Sequence, residues 1–320
     1  MSVDGVATHA HPSAPGFPAG RRPGPWHPSR QERQEALAAL AFLLPGLIWF
    51  LLWTAYPLLK SFWMSFFHWQ ILGGSTFAGL AHYARAFADP VIRTALENTL
   101  LYAVLSVPGQ ILFGFLVAAL LDSITKGKVF FRVLYYIPVI SSWVVVSLIF
   151  MYLFHSEGLM NYVLVDLTHF LPRHVPWLSQ RGTALLVIAL LGTWKGIGWS
   201  MLLFLAALQG IPSEVVEAAS TDGAGGWQIA TRVKLPLLRP MLMFQVVMLT
   251  IGAFQAFIQF YIMTGGGPMN QTQVFLTYMY KQAFDFYDFG YASAISFLLA
   301  AVILAISVVQ MRFFRQDYEY

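Results

Sequence analysis

Six long apolar runs, at roughly 37–66, 96–121, 130–154, 183–208, 238–262 and 291–312, are separated by polar stretches. A helix needs about 20 apolar residues to cross a bilayer, so each run reads as one crossing. The pattern predicts an all-α membrane protein with six transmembrane helices. Pro45 and Pro57 fall inside the first run; such prolines are tolerated in membrane helices when neighbours satisfy the freed carbonyls.

The polar stretches differ in kind. Ahead of the first run, Pro12, Pro15, Pro18, Arg21, Arg22, Pro23, Pro25 and Pro28 sit among small residues. That composition does not offset the entropy of ordering, and residues 1–34 read as a disordered cytoplasmic tail, with 35–320 as the membrane domain. The tail has no apolar core or cleavage site of a signal peptide, and its scattered histidines lack the spacing of a metal site. The intervals 67–95, 155–182 and 263–290 are rich in aromatics, the usual residues of membrane interfaces. The last opens with Thr264-Gly265-Gly266-Gly267-Pro268, which reads equally as a gate or as a tight turn.

The insert at 209–236 is different again. Ser213 reads as a helix cap, and Glu214 and Glu217 suit the positive end of the helix it would start. Ala218 and Ala219 leave room for another surface to approach, and Gly223, Gly225 and Gly226 break the helix. A second short amphipathic stretch, Trp227 to Val233, leads to Leu235-Pro236, where proline is expected to end the local helix and set the angle of re-entry.

Composition supports the membrane reading: 58% of residues are hydrophobic and 11% charged, against about 25% charged in soluble chains. With no cysteine, disulfides, thiolate catalysis and cysteine metal sites are excluded. The net charge of +4 reads as a determinant of topology, not as a signal for nucleic acid. With the N-terminus inside, twelve Lys and Arg face the cytoplasm, among them Lys128, Arg132, Arg232 and Lys234, and six face outward. That bias places both termini and the 209–236 insert in the cytoplasm.

Glu217-Ala218-Ala219, three residues, Gly223, nine residues, then Val233-Lys234-Leu235-Pro236 resembles the signature loop of ABC importer permeases, with Val233 in place of the usual Ile. Tyr56-Pro57, Phe77, Gly79, Leu80, Tyr83, Asn98-Thr99, Phe131-Arg132, Pro138, Gly158-Leu159, Asn161, Leu205 to Pro212, Thr264 to Pro268, Asn270 and Thr272 extend the resemblance over nearly all of the chain after residue 35. The Gly-Gly-Gly-Pro run and the Leu208-Gln209-Gly210-Ile211-Pro212 lead-in are similar to the carbohydrate-uptake branch, the group of maltose, lactose and glycerol-3-phosphate permeases.

The resemblance implies a type I ABC importer permease fold in the bacterial inner membrane, with 209–236 as a cytoplasmic coupling loop. It implies coupling to an ATPase dimer through Glu217, Ala218, Ala219, Asp222, Gly223, Val233, Leu235 and Pro236, pairing with a second permease, and delivery of a carbohydrate by an extracytoplasmic binding protein. The chain holds no phosphate-binding Gly-x-x-x-x-Gly-Lys-Ser/Thr loop. ATP and Mg are therefore expected on the partner ATPase, with no cofactor, metal or catalytic residue in this chain.

Candidate substrate residues are the polar and aromatic exceptions inside the runs. Lys195 lies midway along the fourth, next to Trp194. A charge at that depth costs about 2.5–3.5 kcal/mol on insertion scales, so it should face a cavity or a partner. Gln255 and Gln259, four apart, are expected to share a helix face, with Tyr261 beyond. Each reading competes with plain hydrogen bonding between helices, and Gly192-x-x-x-Gly196 reads as close helix packing. Lys195 mildly favours an anionic or strongly hydrogen-bonding ligand, which leaves glycerol-3-phosphate or a polyol as alternatives to a sugar. The spans lack the acidic residues of an ion-coupled secondary transporter and the paired groups of a membrane enzyme.

Overall fold

In a computed structural model the described residues are 30–69, 74–124 and 126–314. The expected disordered tail lies outside them as far as residue 29, and 30–34 are already helical. The chain divides into two units, residues 1–57 and 58–320.

In the first unit, α1 (Arg30–Phe50) runs through Pro45 into a π-helical turn, Leu51–Ala55. The turn continues as α2 (Tyr56–Met64), and Leu37–Met64 has the length and hydropathy of a membrane span.

The second unit takes in α2 from Leu58 onward and continues with a small antiparallel pair, β1 (Phe67–His68) and β2 (Thr76–Phe77), then α3 (Ala81–Ala88) and α4 (Pro90–Ser123). Asp89 starts α4 by accepting from the Val91 N–H at 2.8 Å, and Pro90 fits the first turn, where no N–H partner is needed. Then come α5 (Lys128–Ile140), α6 (Trp143–Leu153), the short α7 (Leu159–Asn161) and a π-helical turn at Tyr162–Leu167. After α8 (Arg181–Leu208), α9 (Ser213–Thr221) is followed by α10 (Gly226–Gln228), a π-helical stretch at Ile229–Lys234 and α11 (Leu235–Leu237). The chain ends with α12 (Arg239–Phe254), α13 (Ile258–Met263), α14 (Phe275–Tyr280), a π-helical turn at Lys281–Asp285, and α15 (Phe289–Phe314).

Four helices among the described residues are long and apolar enough to cross a membrane unbroken: Leu37–Met64, Pro90–Ser123, Arg181–Leu208 and Phe289–Phe313. The third expected span is a pair, α5 and α6, bent by 90°. The fifth departs most from expectation. It is bent by 72° between Leu237 and Arg239, and it breaks again at 255–257, where Phe257 leaves helical geometry (φ −133°) before α13 begins. Length and hydropathy register a run of apolar residues and are blind to breaks whose freed backbone groups find partners elsewhere.

Helices α4 and α8 form the centre of the second unit, and two clusters of buried residues lie along them. The larger includes Tyr102, Leu185, Ile188, Phe260 and Tyr291. The other, at the end nearer α9, includes Phe115, Phe204, Leu208 and Leu238.

Polar ties hold the opposite end. Asn98 on α4 donates to the carbonyls of Gln271 and Gln273, both at 2.8 Å, and accepts from Arg181 at 2.9 Å. Thr272 donates to the Gly267 carbonyl at 2.7 Å, so the glycine run is a strapped tight turn. Asn161 donates to the carbonyls of Ser156 and Val175 and accepts from Trp177. Asp89 accepts from the hydroxyls of Tyr278 and Tyr291 at 2.6 and 2.7 Å. Burial opposes its charge, but those hydroxyls, the Val91 N–H and the Arg85 charge outweigh it and hold the carboxyl below the ordinary range.

Candidate functional site: a polar cavity and the helical segment that follows it

Helix α8 carries one constellation and leads into a second. Midway along it lies a cavity of about 310 Å³ whose polar and aromatic wall includes Tyr102 and Gln110 from α4, Trp143 from α6, Lys195 and Trp199 from α8, and Gln259 from α13. Tyr102, Gln110, Lys195 and Gln259 are all buried, and Gln259 donates to the Tyr102 hydroxyl at 3.2 Å. Gly192 and Gly196 make room for the α4 side chains. A Cβ at Gly192 would overlap the Tyr102 hydroxyl, and one at Gly196 would overlap the Gln110 amide. The expected close packing is therefore also what admits polar groups to the cavity wall.

Lys195 is 4% exposed. Its ammonium donates to the carbonyls of Pro138, Val139 and Ser141 at 2.6, 3.1 and 2.6 Å and lies 4.9 Å from the Trp143 ring centroid. The last carbonyls of a helix have no partner within it and carry the negative end of its dipole, so Lys195 caps α5 at its junction with α6. A Cβ at Gly198 would overlap the Tyr135 carbonyl, which shows how closely α5 approaches α8 there. The charge that should face a cavity or a partner has found a backbone partner, and it stabilises the bend in the third span.

Of the other expected substrate residues, only Gln259 joins Lys195 in this cavity. Trp194, one step round α8, faces a different cavity with Tyr135 and Pro138 and contacts Phe150 (centroids 5.7 Å apart). The shared face of Gln255 and Gln259 is corrected by the break between them: Gln255 caps the end of α12 and is exposed, whereas Gln259 is buried on α13. Tyr261 is 46% exposed and stacks on Phe257. Sequence reasoning missed Tyr102, Gln110, Trp143 and Trp199. A signal for two of them was present, because Tyr102, Ser106 and Gln110 recur every four residues along α4.

The C-terminal end of α8 leads into the second constellation. Helix α9 starts after Pro212, which makes no side-chain cap, so Ser213 is its first residue and not its cap. Its far end is closed by a Schellman motif: Ala224 N–H bonds to Ala219 O and Gly223 N–H to Ser220 O, both at 3.0 Å. Gly223 has φ +83°, the left-handed conformation this motif requires and one that glycine alone adopts without strain. Glu217, Ala218 and Asp222 are exposed and Ala219 is half-buried.

The return leg, residues 226–237, is one helical run widened to π geometry over Ile229–Lys234. Pro236 sits within it, in the first turn of α11, and does not mark the re-entry bend, which comes at the buried Leu238. Leu235 and Ile211 pack on the cluster of Phe115, Phe204 and Leu238, and Val233 is half-buried. Lys234 donates to Asp122, at the end of α4, at 2.6 Å, and Lys128, opening α5, lies 4.0 Å from the same carboxylate. The return leg is thus tied to the ends of two other helices by an ion pair whose side chains are each about one-fifth exposed.

A bundle of apolar helices, broken where polar groups line a cavity and continued into a capped helical loop, defines a polytopic membrane transport component. The model of the family described as "Binding-protein-dependent transport system inner membrane component" matches residues 99–316, and the chain belongs to that family. It is 37% identical over 292 residues to the "Probable ABC transporter permease protein YurN" of Bacillus subtilis (strain 168), covering 89% of this chain and 99% of that protein. It is 30% identical over 273 residues to the "Lactose transport system permease protein LacF" of Rhizobium radiobacter, covering 84% and 91%. The fold matches, with a TM-score of 0.78 at 24% identity over 90% of this chain and 99% of the other, a chain of a "bacterial ABC transporter involved in the import of the acidic polysaccharide alginate". The type I importer permease fold expected from the sequence is therefore the fold observed.

Proposed function

We propose that this chain is one of two permease subunits of an ATP-driven sugar importer, with both termini and residues 209–236 in the cytoplasm. A binding protein delivers the sugar from outside, and a separate ATPase dimer, holding ATP and Mg, engages α9. The observation that carries this reading is the continuity of α8. One rigid helix bears Lys195, Gly196 and Trp199 of the cavity wall and leads directly into the exposed helix that ends at Gly223. A displacement of α9 by an ATPase is then also a displacement of the cavity wall, which is what a two-state pathway biased from both ends requires.

Within this scheme Glu217 and Asp222 offer carboxylates to a basic cleft, and Ala218 and Ala219 allow close seating. Lys234 and Asp122 pass the movement to α4 and α5. The cavity supplies indole faces for sugar rings and amides for hydroxyls. Names among the relatives support the sugar: lactose for LacF, and arabinooligosaccharides for the permease AraP of Bacillus subtilis (strain 168), 32% identical over 86% of this chain.

The test is uptake of radiolabelled sugar by cells carrying the whole transporter with Ala219→Asp or Gly223→Asp. Uptake falls by at least about tenfold, equivalent to about 1.4 kcal/mol, with normal amounts of the chain in the membrane. Wild-type uptake in both variants would remove the docking role.

A further inference from the structure

We infer that the cavity beside Lys195 takes uncharged saccharide units and rejects acidic ones; this rests on the sugar-importer reading and specifies its substrate class. The family leaves the question open, since a lactose permease is among the relatives and an importer of an acidic polysaccharide shares the fold. A cation in the cavity wall would ordinarily argue for an anion. Here the hydrogen bonds argue the reverse.

An ammonium has three N–H donors. Those of Lys195 meet three carbonyls, at 2.6, 3.1 and 2.6 Å, and the Trp143 face lies 4.9 Å away. No donor is left for a carboxylate, and drawing the ammonium toward one would leave the end of α5 unpartnered. No other charged residue lines the cavity among the described residues. A carboxylate entering it would lose its hydration and find no N–H of the ammonium to pair with, since Lys195 is already solvated by three carbonyl dipoles; burial of an ion without such hydrogen bonds is strongly unfavourable.

A neutral pyranose fits the same wall. The amides of Gln110 and Gln259 each offer donors and an acceptor, the Tyr102 hydroxyl offers both, and the indoles of Trp143 and Trp199 present flat apolar faces. The volume of about 310 Å³ corresponds to about ten waters at liquid density, which suits one sugar ring at a time.

The experiment uses the assembled transporter, this chain with its partner permease and ATPase, in lipid nanodiscs. The chain has no native cysteine, so Ser106→Cys introduces a single thiol in the cavity wall, and its labelling by a methanethiosulfonate is read on this chain by mass. The probes are paired methyl glycosides of glucose, galactose and mannose and the matching methyl glycosides of their uronic acids, which differ only in a hydroxymethyl group against a carboxylate. At least one neutral glycoside is expected to protect the thiol at a concentration at least tenfold below its uronate. The thermal unfolding shift of the unsubstituted complex is expected to rank the pairs in the same order, which covers a Ser106→Cys chain that fails to assemble. Equal or better protection and stabilisation by the uronates would overturn the inference and leave the sugar reading intact. Absence of both effects with every probe would overturn the sugar reading, and the inference with it.

Discussion

The cavity lies along α8, the coupling segment follows its end, and the two are built in opposite ways. The cavity wall comes from α4, α5, α6, α8, α12 and α13, so residues up to 157 positions apart, such as Tyr102 and Gln259, meet in it. The coupling segment is local: α9, its glycine stop and the return leg lie within 209–236, and its distant ties are few, chiefly Lys234 to Asp122. A site assembled from distant elements depends on helix breaks and packing. A site made from one segment depends on its own turns, which is why only the second is written as a motif.

The comparison predicts that damage to the cavity wall shows first as lost stability and damage to the segment first as lost coupling. The largest effect is expected at Lys195→Met, which leaves the carbonyls of Pro138, Val139 and Ser141 without their donor. With each orphaned buried polar group costing about 1–3 kcal/mol, the assembled complex should melt several degrees lower and transport should fail. An unchanged melting temperature would show that Lys195 does not hold the α5–α6 bend.

Gly196→Ala comes next, because its methyl group would occupy the place of the Gln110 amide. Overpacking of this kind costs about 1–3 kcal/mol, and uptake should drop while cross-linking of a cysteine at position 220 to the ATPase persists. Loss of that cross-link would mean that the two regions are less separable than their construction suggests. In the coupling segment, Asp122→Lys and Lys234→Asp should each uncouple transport from ATP hydrolysis by several-fold, with the double exchange restoring most of it. Failure of the double variant to recover would break the proposed connection between the return leg and α4.

The smallest effect concerns pH at the end of α4 away from α9. Hydrogen bonds hold Asp89 below the ordinary carboxylate range, so its contribution to stability is complete above the unfolded value of about 3.9 and is lost as pH falls below it toward the folded value. Melting temperatures measured in steps from pH 6 to pH 3.5 should fall more steeply for the wild-type complex than for Asp89→Asn. Parallel slopes would remove Asp89 from that role.

Hydropathy was enough to place the apolar runs, because a membrane crossing is a matter of length and composition. The coupling segment was legible for a related reason: Gly223 is required by the left-handed turn that closes α9, and its neighbours in sequence are its neighbours in space. Even there, Ser213 and Pro236 were misassigned by a residue or two: α9 starts after Pro212 with no side-chain cap, and the bend falls at the buried Leu238. Lys195 was visible as an anomaly whose partner was not, because carbonyls freed by a bend have no signature in side-chain identity.

By itself the sequence determined that this chain crosses a membrane in several helices and carries one structured polar loop, since both follow from local composition and turn chemistry. Only the tertiary structure decided which polar side chains share a cavity. It separated Gln255 from Gln259 by breaking a helix and spent the lysine's charge on the backbone. Those outcomes depend on breaks and contacts between helices far apart in the chain, and no periodicity within a single helix encodes them.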